Sequence, residues 1–248
     1  MGGVDVTAAL ADLRRRVRTA ARLTILPGAG VSAASGVPTF RGAGGLWRAF
    51  RPEDLATPEA FQRDPALVWQ WYDWRRSVLA GCAPNAAHDV LARWTWRDGV
   101  TLITQNVDGL HERAGAQNVI RFHGSVWRLR CSLACGVADA SWEDRRVPLP
   151  ELPPRCPGCG ACARPAVVWF GEPIDSADMA AAHDATACDL YLSVGTSSLV
   201  HPAASLAARA KSRGAYVVEI NPDPTPAATA FDLAIQLPAE TALPALDR

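Results

Sequence analysis

Two cysteine pairs, Cys131-x3-Cys135 and, twenty residues on, Cys156-x2-Cys159, have the spacing most specific for one chemistry. Thiolates paired in this way close around zinc in a tetrahedral site. Four thiolates leave no open position, so the expected metal is structural and not catalytic. Cys162 is a further thiol that competes as fourth ligand. The chain has seven cysteines, five of them between 131 and 162, which argues for metal over disulfides and for a reducing cytoplasm. Cys82 and Cys188 stand apart and read as small buried apolar residues.

A second set of residues lies where strands are expected to end. Leu23-Thr24-Ile25-Leu26 is an apolar run of the kind buried on both faces of a parallel sheet. It breaks at Pro27-Gly28-Ala29-Gly30, and a helix is expected to start within Ser32 to Ser35. Strand, glycine turn and helix start suggest a pyrophosphate cradle, although a GxG turn alone is often only a turn. Gly42-Ala43-Gly44-Gly45, after Phe40-Arg41, reads as a loop able to fold over a cofactor. The acidic residue that a dehydrogenase carries about twenty positions on is missing. Glu53 and Asp54 follow Pro52 and end no strand, so a dinucleotide is indicated without hydride transfer.

Other expected strand ends are also polar. Val100–Thr104 runs into Gln105-Asn106-Val107-Asp108, which lines a ligand crevice or caps a helix. Val119 to Ser125 reads as a short strand placing His123, before a glycine, where a side chain can face a cleft. Leu190–Val194 delivers Gly195-Thr196-Ser197-Ser198, a small-residue turn suited to phosphate or ribose. Ala215–Ile220 ends in Asn221-Pro222-Asp223, and a last strand is expected near 233–237.

The elements that must position these groups follow from periodicity and capping. Val4 to Ala21 reads as an amphipathic helix with Leu10, Leu13, Val17 and Ala20 on one stripe. Thr57-Pro58-Glu59 and Asp64-Pro65 start helices, the second closed by Gly81 with Leu67, Trp71, Trp74 and Val78 on its apolar face. Beside that stripe Tyr72 and Arg75 stand three apart, as neighbours in space or as an arginine packed on a tyrosine at the helix surface. Asn85 to Trp96 is a further helix in which His88 reads as structural. Helices are also expected over 176–187 and from Pro202 to Gly214, and Pro165 to Glu172 is expected to return the chain to the sheet.

The fold class is therefore α/β, a doubly wound parallel, Rossmann-like sheet with a small zinc-binding module and a helical insertion. The sheet domain is expected over residues 1–47, 85–125 and 167–248, the helical insertion over 48–84 and the zinc module over 126–166.

GAGVSAASGVPTFRGAGGLW, residues 28–47, resembles the signature of the sirtuins, the NAD-dependent protein lysine deacylases. Further matches extend from about Leu23 to Leu246. The resemblance implies NAD contacts from Gly28, Ala29, Gly30, Ser32, Ala33, Thr39, Phe40, Arg41 and Trp47. It implies that Gln105, Asn106 and Asp108 line the nicotinamide and ribose pocket. Gly195, Thr196 and Ser197, then Asn221, Pro222 and Asp223, fall at the phosphates and adenosine ribose, and Ala239 at the adenine. His123 aligns with the catalytic histidine of HGS, a general base, and Asn106 would orient water or ribose. The chain departs from the family's usual pattern at Val107, at Leu237 and Glu240, and in having three residues inside the first cysteine pair.

Tyr72-x2-Arg75 resembles the pair by which the class III branch holds the distal carboxylate of succinyl- or malonyl-lysine. Arg75 can offer a carboxylate two parallel N–H donors, and Tyr72 a hydroxyl. Ala56 resembles the small residue that leaves room for a longer acyl chain in that branch. Val168, Trp169, Phe170, Gly171 and Glu172 resemble the segment that pairs with the substrate peptide as an added strand. The implied reaction removes succinyl, malonyl and also acetyl groups from lysine, giving nicotinamide and O-acyl-ADP-ribose. A protein mono-ADP-ribosyltransferase shares the first half of that reaction. A non-catalytic reader of acyl-lysine and ADP-ribose is the alternative from another class.

Composition narrows the partners. Lys plus Arg and Asp plus Glu both total 25, so no net field draws in nucleic acid or a membrane surface. No apolar run reaches the ~18 residues of a membrane helix. Hydrophobic residues make up 49%, enough for a sizeable core. A cytoplasmic monomer acting on acylated lysines of proteins is expected.

Overall fold

The chain folds around these strand ends, in a computed structural model that describes residues 6–39, 51–136 and 141–248. Helix α1 spans Val6–Thr19, with Leu13 and Val17 buried. Strand β1, Leu23–Pro27, is buried at all five positions. The chain leaves it through a 3-10 helix over Ala29–Ser35, so the helix begins before the expected Ser32. An extended Gly28 allows this, because the Val31 N–H can close the first turn on the Gly28 carbonyl at 3.0 Å. Three helices follow: α2 (Pro52–Leu55), α3 (Pro58–Arg63) and α4 (Pro65–Gly81). Thr57 and Asp64 cap the last two by accepting from the Ala60 and Leu67 N–H groups.

Helix α5 (Ala86–Trp94) has Asn85 and His88 as a capping box, and β2 covers Val100–Thr104 as expected. After α6 (Leu110–Arg113), the strand expected through Ser125 is only β3, Ile120–Arg121. Gly124, at φ +78°, turns the chain into β4 (Gly124–Cys131). There β5 (Trp142–Glu143) and β6 (Ala163–Val167) flank β4 antiparallel. The segment expected to return to the main sheet thus pairs in a second, three-stranded sheet, ordered β5-β4-β6. Its continuation after Val167 is not a strand.

The chain then runs through α7 (Ser176–Ala185), β7 (Leu190–Val194), α8 (Ser205–Ser212), β8 (Tyr216–Ile220), a 3-10 turn at Ala228–Ala230, β9 (Leu233–Ile235) and α9 (Ala239–Asp247). The α9 helix went unread because Pro244 interrupts its pattern, yet Ala242, Leu243 and Leu246 are buried in the core. The main sheet is parallel, ordered β3-β2-β1-β7-β8-β9. Its order reverses between β1 and β7, where a doubly wound sheet opens its ligand crevice at the strands' carboxyl ends.

Two apolar cores cover the faces of this sheet, one built with α1, α5 and α9 and the other with α7 and α8. A third core joins α3 and α4 to β4 and β6, so the helical stretch and the cysteine-bearing sheet bury each other. The face that α4 buries keeps Trp71 and Val78 of the expected stripe but not Leu67 and Trp74. Leu67 and Trp74 are 45% and 44% exposed, while Val68, Trp69, Tyr72, Arg75 and Arg76 lie inside. The fully buried Arg76 donates to the carbonyls of Val126, Asp144 and Arg146. That bonding holds a charged residue inside the fold. Among the described residues no helix is long and apolar enough to cross a membrane.

A close backbone contact lies at the switch between β1 and β7. A Cβ at Gly30 would stand 2.7 Å from the Gly195 carbonyl oxygen, whereas one at Gly81 would meet nothing within 4 Å. Gly30→Ala is therefore expected to cost about 1–3 kcal/mol, lowering Tm by roughly 2–4 °C per kcal/mol. Gly81→Ala, in thermal melts run alongside, is expected to hold or raise Tm.

Candidate active site

Four strand ends are stitched together at this crevice. The Gly28 N–H donates to the Val194 carbonyl (2.9 Å), and the Gly30 N–H to the Gly195 carbonyl (2.8 Å). These two N–H groups are thereby committed within the protein. The smallness of Gly28 and Gly30 serves the close packing of two turns, since a Cβ on Gly28 would stand 2.7 Å from that of Thr196. From the end of β2, the Gln105 N–H donates to the Pro27 carbonyl (3.1 Å) and its side-chain amide to Thr196 Oγ1 (3.0 Å). Asn106 Nδ2 donates to the Gly28 carbonyl (3.0 Å) and to Ser32 Oγ (3.2 Å). Asn221 Nδ2, after β8, donates to the Thr196 carbonyl (2.8 Å).

His123 joins this network through Nδ1, which lies 3.0 Å from the Gln105 carbonyl. A carbonyl only accepts, so Nδ1 carries the proton and Nε2 is left as an acceptor. Burial pushes the His123 pKa below the ordinary histidine value, against the raising effect of that bond. The ring is therefore a neutral base at neutral pH.

Ser32 is the buried junction between the glycine turn and the amide tip. Its hydroxyl donates to Asp108 Oδ2 (2.8 Å), while Asp108 Oδ1 accepts from the Leu110 N–H (2.9 Å). His88 Nε2 lies 3.3 Å from the same hydroxyl. Because His88 Nδ1 accepts from the Asn85 N–H, Nε2 carries the proton and donates to Ser32. His88, expected to be only structural, thus reaches the site through Ser32. Its position three residues after a helix-capping Asn was the available signal, since a capping box orients the ring. His111 packs 4.9 Å from His88. Burial first, with mutual repulsion added for His88, lowers both histidines to about 4.

A second cluster of expected site residues is tied to the first through the backbone. Leaving β6, the Val168 N–H donates to the His123 carbonyl and the Phe170 N–H to the Ala56 carbonyl, both at 3.0 Å. Between them Trp169 is buried, and its Nε1 donates to Tyr72 Oη at 2.9 Å. Tyr72 and Arg75 are 3% and 6% exposed, so they lie inside the fold and not on a helix surface. Arg75 Cζ stands 4.9 Å from the Trp71 ring centroid, and burial lowers the arginine's pKa while raising that of Tyr72. Phe170 and Gly171 are exposed beside this cluster, with Glu172 half-buried.

Other expected contacts are placed as follows. Ala33 is exposed, Ala29 and Thr39 half-buried, Ser197 half-buried, and Pro222 and Asp223 exposed. The Ala239 side chain is buried in the core at the start of α9. Phe40, Arg41 and Trp47 lie outside the described residues, as does the Gly42–Gly45 loop.

The Sγ atoms of Cys131, Cys135, Cys156 and Cys159 lie within 4.8 Å of one another. Cys131 to Cys159 is 3.6 Å and Cys135 to Cys156 is 3.8 Å. A tetrahedron with Zn–S bonds of about 2.3 Å has edges of about 3.8 Å, so the thiols fit a closed zinc site. Cys162 stands outside the quartet, its Sγ donating to the Ala163 carbonyl at 3.3 Å.

The Sir2 family model matches residues 28–202. The chain is 49% identical over 217 residues to NAD-dependent protein deacylase 1 of Caldanaerobacter subterraneus subsp. tengcongensis, covering 87% of this chain and 88% of that protein. It is 44% identical over 261 residues to the mitochondrial NAD-dependent protein deacylase sirtuin-5 of Canis lupus familiaris, covering 95% and 84%. A crystal structure of a Sir2 homologue in complex with NAD is similar at a TM-score of 0.88 and 42% identity, over 96% of this chain and 92% of that one.

Metal analysis of the purified chain is expected to find one zinc, retained by Cys162→Ser and lost in Cys156→Ser. The histidine pair sets a pH window. His88 and His111 sit near 4 when folded and about 6.5 when unfolded, so the unfolded chain binds more protons between these values. Stability is full above about 6.5 and falls as pH drops towards 4, by up to about 3 kcal/mol per histidine. Urea midpoints measured across this range are expected to flatten in His111→Phe.

Proposed function

This chain belongs to the Sir2 family, and we propose that it is an NAD-dependent deacylase of protein lysines that removes succinyl, malonyl and acetyl groups. The observation that carries this reading is the short segment after β6. Through Val168 and Phe170 it ties the His123 backbone to Ala56, and through Trp169 it reaches Tyr72. On this reading the crevice at the sheet switch and the buried Tyr72–Arg75 pair serve one site. The names of the similar bacterial and canine proteins, and the NAD complex of a similar structure, support the same assignment.

On this reading NAD lies along the carboxyl ends of β1, β2, β7 and β8. Gly28, Ala29, Gly30, Ser32, Ala33 and Thr39 border it on one side, with Gln105, Asn106 and Asp108 at the nicotinamide end. Gly195, Thr196 and Ser197, with Asn221, Pro222, Asp223 and Ala239, border the adenosine end. Bound NAD would supply a ribose carbon to accept the acyl oxygen with loss of nicotinamide, and a water would complete the exchange, so that free lysine and O-acyl-ADP-ribose leave.

The chain's own residues orient and move protons. Asn106 commits its N–H groups to Gly28 and Ser32, which leaves its carbonyl oxygen to accept from a water or a ribose hydroxyl. Asp108 is fixed by Leu110 and Ser32 and keeps lone pairs for an amide N–H of the leaving nicotinamide. His123 takes up a proton at Nε2, made possible by the Nδ1 bond to Gln105 and the burial that keeps the ring neutral. The exposed residues Phe170 and Gly171 border the substrate peptide. Tyr72 and Arg75 meet the distal carboxylate of an acidic acyl group, and Ala56 leaves room for it.

Nicotinamide release with acetyl-, malonyl- and succinyl-lysine peptides tests this directly. Succinyl and malonyl peptides are expected to be preferred, and Arg75→Gln to lower the succinyl-to-acetyl ratio of kcat/KM by about 10- to 100-fold. An unchanged ratio removes the carboxylate role, and no release from any peptide removes the deacylase reading.

A further inference from the structure

We infer that Trp169 is a positioning residue for acyl selectivity, holding the Tyr72 hydroxyl so that its proton is left for the acyl carboxylate. The inference rests on the Tyr72–Arg75 carboxylate reading above and adds the element that orients it.

A phenol has one proton and can accept from more than one donor. Tyr72 Oη accepts the Trp169 indole N–H at 2.9 Å. An indole N–H cannot accept, so the Tyr72 proton must turn away from it. Among the described residues no acceptor takes that proton, although the phenol is 3% exposed. The nearby guanidinium of Arg75 acts electrostatically on the same hydroxyl and has no lone pair to offer. A buried donor lacking an acceptor, beside a buried cation, suits an anionic oxygen and gives a neutral acetyl group nothing comparable.

Trp169 is itself clamped. Its backbone N–H donates to Glu172 Oε2 at 2.9 Å. Arg164 grips both oxygens of Glu172, at 2.6 and 2.8 Å, while its Cζ lies 3.4 Å from the Trp169 ring centroid. The Phe61 ring packs 5.3 Å from Trp169, centroid to centroid. The indole is thus held at the ring plane, the backbone and the N–H. Such linked hydrogen bonds also strengthen one another, so the indole bond makes the Tyr72 proton a better donor.

The test compares Trp169→Phe, Tyr72→Phe and the double variant, reading the succinyl-to-acetyl ratio of kcat/KM so that any general loss divides out. Trp169→Phe, which keeps the ring and deletes the N–H, is expected to lower the ratio about three- to tenfold, mostly through KM for the succinyl peptide. The double variant is expected to match Tyr72→Phe alone. If Tyr72→Phe lowers the ratio and Trp169→Phe does not, the Trp169 role is overturned and the carboxylate reading stands. If neither changes it, the Trp169 role and the Tyr72 contact are both overturned, and the Arg75→Gln ratio decides whether the carboxylate reading stands. Should Trp169→Phe fold poorly, the intact 15N-labelled chain gives a second readout. The Trp169 indole N–H resonance is expected to shift further with succinyl-lysine peptide than with acetyl-lysine peptide, and equal shifts overturn the proposal.

Discussion

Gly30 and Gly195 meet back to back at the point where the main sheet reverses its order. The Gly30 N–H donates to the Gly195 carbonyl at 2.8 Å, and neither position has room for a Cβ. This contact fixes the distance between the turn after β1 and the turn after β7. The remaining site geometry is measured from it, because Gln105 bonds to Thr196 and Asn106 bonds to Gly28. His123 is then set by Gln105, and Asn221 by Thr196. A wider gap at one glycine contact would move several polar groups at once.

Polar burial near the site follows the same economy. Ser32, Asp108 and His88 are all buried, and each finds a partner in the others or in a nearby backbone N–H. A satisfied network in low dielectric is rigid, and removing one member leaves the rest unpaired. His111 marks the limit of this arrangement, for both ring nitrogens are buried without a hydrogen bond among the described residues. The acyl side uses the same device, with Arg164 and Glu172 bracing Trp169 against Tyr72. Both halves of the site are held by side chains that belong to different cores.

Much of this was legible along the chain wherever the signal was local. Buried strands such as Val100–Thr104 and Leu190–Val194 appear as short, mostly apolar runs, because much of both faces of a parallel strand is covered. Helix starts at Thr57 and Asp64 were readable because a capping side chain bonds an N–H three residues away. The cysteine quartet was readable because two close pairs need only one fold-back to meet. Where partners are distant the reading failed. Arg76 is inside because it reaches carbonyls 50 to 70 residues away, which no local pattern signalled. The segment after Cys162 looked like a strand of the main sheet, yet it pairs with β4, since a run of residues does not specify its neighbour.

By itself the amino-acid order determined which residues could do chemistry and the kind of element each would end, since residue type and local spacing set both. Only the tertiary structure decided the partners. It showed that the glycines answer to Gly195 and Thr196, that Cys162 lies outside the thiol quartet, that His88 touches Ser32, and that Trp169 reaches Tyr72. The reason is that a hydrogen bond or a close contact depends on distances of a few ångströms between residues far apart in the chain. Those distances exist only after the cores have packed.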